Sequence, residues 1–129
     1  MAERTSIAPS GILANSFLSP GVRVGDLLFV SGHVARDSSG NLVGEGDCEA
    51  QCRQVMANLR IIAEAAGATM QDVVKLGCFI TDPAYYAAYR NVLSETFLSD
   101  PPASTTVVIA ALSRLEFLVE MDAVVRVPN

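Results

Sequence analysis

Residues 48–83 read CEAQCRQVMANLRIIAEAAGATMQDVVKLGCFITDP, and this stretch decides the architecture. Cys48, Cys52, Val55, Leu59 and Ile62 recur at intervals of four, three, four and three, with Met56 and Ala63 beside them. That spacing predicts one apolar helix face. Asp47 stands before the run as its N-cap, and Gly67 stops it. Val73 to Thr81 then reads as a strand. Asp82-Pro83 opens a second helix, with Asp as cap and Pro at the first helical position. It runs to about Leu98, because Pro101-Pro102 bars continuation.

Upstream, Asp26 to Val34 (DLLFVSGHV) reads as a strand, Pro20-Gly21 as a turn and residues 1 to about 16 as an extended arm. Asp37 to Asp47 carries three glycines and reads as a loop. Downstream, Ser104 to Leu112 and Phe117 to Val127 read as strands, and the short gap between them predicts a hairpin. The order strand, helix, strand, helix, strand, strand predicts an α+β fold: one mixed sheet with two helices on one face. Both faces of Ser104 to Ala111 are apolar, Val108 and Ala110 opposing Val107 and Ile109. One face can meet the helices; the other calls for burial against further subunits. No linker or repeat divides residues 1–129, so one domain is expected.

Half of the 129 residues are hydrophobic and 18% are charged, which excludes an intrinsically disordered chain. The net charge is −5, with 9 basic and 14 acidic residues spread over both halves and a single lysine. Phosphate neutralisation dominates nucleic-acid affinity, so nucleic acid is not an expected partner. No apolar run approaches the ~20 residues of a membrane span, and Met1 to Ser10 lacks the apolar core of a signal peptide. Three cysteines, an odd count, fit a reducing compartment. A cytoplasmic protein is expected.

The motifs that carry chemistry are few. Cys48 and Cys52, one helical turn apart, could suit two metal ligands, but they also fall on the core stripe. His33 is the single histidine; its readings are a proton-transfer group or a structural imidazole. Lys75 reads as an amphipathic side chain reaching solvent or as a Schiff-base amine. The last strand says more. Strand side chains alternate, so Leu118, Glu120, Asp122, Val124 and Arg126 share one face. Glu120 and Asp122 then lie roughly 6.6 Å apart at about 3.3 Å per residue. Two carboxylates in so apolar a strand are costly unless paired or used; the alternative is a solvated face with Asp122 paired to Arg126. On helix two, the apolar face collects Tyr85, Tyr86, Tyr89, Val92, Leu93, Thr96 and Phe97, with Arg90 at its edge. Arg90 there either snorkels to water or points into a subunit boundary, where its fork would suit a carboxylate.

Five segments, in this order and spacing, make the chain resemble the Rid (YjgF) family of small enamine/imine deaminases: VGDLLFVSGHV (24–34), AQCRQVMANLRIIAEAAG (50–67), DVVKLGCFITD (72–82), PASTTVVIAA (102–111) and VEMDA (119–123). The resemblance implies a chorismate-mutase-like fold, a homotrimer with clefts between subunits, and no metal or organic cofactor. It implies hydrolysis of reactive imines to carbonyl compounds and ammonia. Glu120 falls on the family's cleft glutamate, which positions or activates water. Gly32 falls on the glycine whose backbone faces the ligand, Ser31 on the serine before it, and Tyr86 on an aromatic cleft position. Thr106 stands where a small Cys or Ser-type residue is usual. The chain departs from the pattern at three places. Ser104 follows the Pro-Ala pair where the family has its carboxylate-binding Arg, Leu18 replaces a Tyr, and Arg90 replaces an Asn. Arg90 is then the expected source of positive charge for a substrate carboxylate. Two other functions stay open: release of an amine from an amino or hydroxylamino aromatic compound by a lyase-type step, and non-catalytic binding of a small molecule.

Overall fold

The computed structural model describes residues 3–129, so the first two residues of the expected arm lie outside the described residues. The helix face read from Cys48 forms α1, Cys48–Ala65. The Asp47 carboxylate accepts from the Ala50 N–H at 3.0 Å, and Gly67 takes a φ of +89° just past the helix end. That left-handed conformation lets the chain reverse into the sheet. Asp82 caps likewise, accepting from Ala84 N at 2.8 Å; a 3-10 turn, Pro83–Tyr85, leads into α2, Tyr86–Thr96.

Six strands make one sheet: β1 (Arg4–Ile7), β2 (Gly21–Val24), β3 (Leu27–His33), β4 (Val73–Ile80), β5 (Ala103–Val108) and β6 (Val119–Arg126). Their spatial order is β1-β2-β3-β6-β4-β5. Only β4 and β5 pair in parallel. The mixed sheet with two helices on one face is as the sequence predicts. Two expectations are corrected. Where a turn was expected at Pro20-Gly21, Gly21 opens a strand, β2, on which β1 of the extended arm lies antiparallel. The last two strands form no hairpin: β5 pairs with β4 at the sheet edge, and β6 inserts between β3 and β4. The reason lies in the side chains. Every other β6 residue, Val119, Met121, Ala123 and Val125, is buried, a pattern that fits the centre of a sheet. Strand β5 is mostly exposed, as an edge strand is.

The core lies between sheet and helices. Leu28, Val30, Leu76, Cys78, Ile80, Val119, Met121, Ala123 and Val125 face Cys52, Val55, Leu59, Ile62, Tyr89 and Val92. Two polar residues of α1 are buried with it, Asn58 and the fully enclosed Gln51. Its Nε2 donates to the Gly44 and Glu116 carbonyls at 3.1 and 3.0 Å, and its Oε1 accepts from Leu118 N at 2.9 Å. One side chain thus ties the loop before α1 to the entry of β6. Gln51→Leu preserves volume but strands three backbone groups. It is expected to cost about 2–4 kcal/mol, read as a lower urea midpoint with an unchanged slope.

Candidate functional site

Glu120 and Asp122 project from β6 to the sheet face that carries no helix. Their neighbours across the ladders are set by register: Phe79 lies opposite Glu120 and Gly77 opposite Asp122. On the other side, the β3–β6 register shifts between Val30 and His33, a bulge that holds Ser31 and Gly32. A Cβ on Gly32 would overlap the Glu120 carboxylate, and one on Gly77 would overlap that of Asp122. Each acid therefore occupies the space a neighbouring strand leaves by having no side chain. Both are half-buried, and among the described residues neither makes an ion pair. The alternative of an Asp122–Arg126 pair is not found; Arg126 is exposed. Burial first, and the Asp122 charge second, push the Glu120 carboxyl above its ordinary range.

Glu120 and Gly32 line a cavity of about 340 Å³ together with Leu18, His33, Arg36, Asp37, Asn58, Ser113 and the 11–15 segment. Ser31 builds its rim rather than its lining: its hydroxyl donates to the Ser19 carbonyl at 2.6 Å, and its N–H to that of Pro20 at 2.9 Å. These bonds hold the loop that presents Leu18. The His33 Nε2 lies 3.4 Å from the Pro20 carbonyl. Burial lowers its pKa, against the opposing pull of that carbonyl, so the ring is neutral near pH 7.

Tyr86, Ser104 and Thr106 lie elsewhere. Ser104 pairs with Leu76 and Thr106 with Cys78 in the parallel ladder, so both side chains point to the helix side. They line a second cavity of about 460 Å³ with Ile80, Pro83, Tyr86, Tyr89, Leu93 and Val108. The Ser104 hydroxyl lies 2.7 Å from the Tyr89 hydroxyl. Burial pushes that phenol up to about 12, so it stays protonated. The Arg90 guanidinium sits 5.9 Å over the Tyr86 ring, at the exposed side of α2. Within one chain the residues thus fall into two groups, Glu120, Gly32 and Leu18 on one cavity and Tyr86, Ser104 and Thr106 on another, on opposite faces of one sheet.

The remaining motifs resolve plainly. Cys48 and Cys52 are core residues, and no group of His, Cys, Asp and Glu among the described residues could hold a metal. The Lys75 ammonium donates to the Thr105 hydroxyl at 2.9 Å, on the solvent side of the sheet. Two residues escaped the sequence reading. Gly77 was detectable as an isolated glycine inside a strand, which marks a close approach. Arg36 gave no such sign, since it sits where a strand ends and a glycine-rich loop begins.

A two-helix, six-stranded mixed sheet with a carboxylate on its uncovered face defines a class of small α+β proteins. The model of the family described as endoribonuclease L-PSP matches residues 10–127. The chain therefore belongs to that family, the Rid (YjgF) family that its sequence resembles. A RutC family protein of Pyrococcus abyssi is 33% identical over 106 residues, 82% of this chain and 83% of the relative. The crystal structure of RidA from the Antarctic bacterium Psychrobacter sp. PAMC 21119 is similar with a TM-score of 0.89 and 29% identity, covering 95% of this chain and 99% of that one. The YjgF gene product of E. coli is similar with a TM-score of 0.82 and 27% identity, covering 95% and 98%.

The glycine gap yields a direct test. Gly32→Ala displaces only the flexible tip of Glu120, so its stability should change by less than ~1 kcal/mol. Ammonia release from freshly generated imines should fall by ~10² if the carboxylate must sit at that spot.

Proposed function

We propose that the protein hydrolyses the C=N bond of a reactive imine or enamine to a carbonyl compound and ammonia. The observation that carries this reading is Glu120: a half-buried carboxyl of raised pKa, unpaired among the described residues and opening on a cavity. Raising its pKa makes this carboxylate a stronger base than an ordinary surface glutamate. It accepts a proton from water as the oxygen attacks the imine carbon. The same proton is returned to nitrogen, giving the neutral carbinolamine; the carboxylate then takes the carbinolamine hydroxyl proton and passes it to nitrogen as the C–N bond breaks, so the carbonyl forms and ammonia leaves. Water and imine are consumed one for one, so no redox partner is needed.

The site works in this reading as a cleft between copies of the chain. Ser104, Thr106 and Tyr86 of one copy meet Glu120, Gly32 and Leu18 of another, with Arg90 at the rim, since one sheet cannot bring both groups together. The uncovered face supports an assembly: Leu27, Phe29 and Val107 are 38%, 48% and 42% exposed on it. Such an apolar patch marks a docking surface. A homotrimer in the cytoplasm is the proposed form. The −5 charge argues against the phosphate chemistry that the family's description as an endoribonuclease suggests.

Light scattering on a sizing column is expected to give three times the 13.6 kDa chain mass; a monomer at micromolar concentration would refute the assembly. Glu120→Gln is expected to lower ammonia release by ~10² or more while the fold persists. Unchanged turnover would assign Glu120 a structural role. In the wild type, activity should fall on the acid side as Glu120 takes up its proton. The stability trend has the opposite sense. The folded state holds this proton to higher pH than the unfolded chain, so ionised Glu120 weakens the fold. Glu120→Gln should therefore melt at or above the wild type at neutral pH, with the gap closing below about pH 4.

A further inference from the structure

We propose that Arg36 is the anion-holding residue of the Glu120 cavity, taking the carboxylate of the substrate. This rests on the imine-hydrolase reading and deepens it, because it names the group that orients the substrate toward Glu120. Arg36 and Glu120 line the same cavity. The Arg36 Nε is buried and has no hydrogen-bond partner, and among the described residues the guanidinium makes no ion pair. A guanidinium on a cavity wall that pairs with no acid keeps its donors uncommitted for an incoming anion.

The surroundings hold this group ready. The Arg36 carbonyl accepts from Asn58 Nδ2 at 2.9 Å and Gln54 Nε2 at 3.2 Å, so α1 fixes where the side chain starts. The guanidinium carbon lies 5.0 Å from the centroid of the Phe117 ring, itself buried. The ring holds the cation in place, and the guanidinium's planar fork of donors can grip a carboxylate in two places. The nearby charges are otherwise engaged. Arg114, at 5.7 Å from the same ring, is ion-paired with Glu116. The Asp37 carboxylate accepts from Ser39 N, Asn41 N and Asn41 Nδ2. His33 is held toward neutrality. Ser104, on the other cavity, offers only a hydroxyl bonded to Tyr89. Arg36 thus brings a positive charge to the cavity that Glu120 lines.

The test compares binding of 2-oxobutanoate with that of its uncharged amide, by calorimetry, in the wild type, Arg36→Met and Arg36→Lys, with folding checked by circular dichroism. The wild type should favour the carboxylate at least ten-fold. Arg36→Met keeps a stem to cover Phe117 and should erase that preference. Arg36→Lys keeps the charge without the planar fork and should fall between the two. A wild type that binds both ligands alike, or an Arg36→Met protein that keeps the preference, overturns the proposal. Retention in Arg36→Met with loss in Arg90→Ala would move the anchor to α2. Because binding needs no turnover, the result is separate from the Glu120→Gln assay: silence in that assay sinks the hydrolase reading and leaves the carboxylate anchor to stand or fall by its own titration.

Discussion

Two carboxylates on the central strand of a sheet need space, and two glycines on the flanking strands supply it. Everything at the site follows from this fit. Gly32 and Gly77 sit on opposite sides of β6 and admit Glu120 and Asp122 one residue pair apart. Any side chain at either position would push an acid out of its place. The bulge in β3 belongs to the same arrangement. It breaks the strict register beside Glu120 and brings the Gly32 backbone, rather than a side chain, to the edge of the cavity.

The acid pair also sets its own electrostatics. Strand spacing keeps the carboxylates close, and half-burial weakens the water that would screen them. Burial first and the Asp122 charge second raise the Glu120 carboxyl while it stays open to a cavity. A neutral histidine on the same wall adds no compensating charge. The cation that lines this cavity is Arg36, held at its backbone by α1 and at its planar head by Phe117.

Much of this could be read from the residues, and the limits were physical. Helical spacing from Cys48 and the caps Asp47 and Asp82 located both helices, because local propensity and core burial agree there. Alternation put Glu120 and Asp122 on one face, since a strand's period leaves no other choice. Pairing partners were not legible in the same way. A short gap suggested a β5–β6 hairpin, yet the buried alternate residues of β6 favoured the sheet centre, a tertiary preference that no local window contains. The division of the candidate residues between two faces was hidden for the same reason: it depends on the register of β5 against β4. Arg36 was invisible because its interest lies in what it fails to touch.

The strand order carries a consequence for synthesis on the ribosome. Strands β1, β2 and β3 form one meander, and β4 with β5 a second unit, but β3 and β4 never touch as partners. The piece that joins them is β6, residues 119–126, made after all the others. Until it emerges, the nascent chain holds two half-sheets, each with an unsatisfied inner edge that invites pairing with a neighbouring polypeptide. Completion of the acid-bearing strand and closure of the sheet are therefore one event, and a chain interrupted before it would expose the template for aggregation at the centre of its own fold.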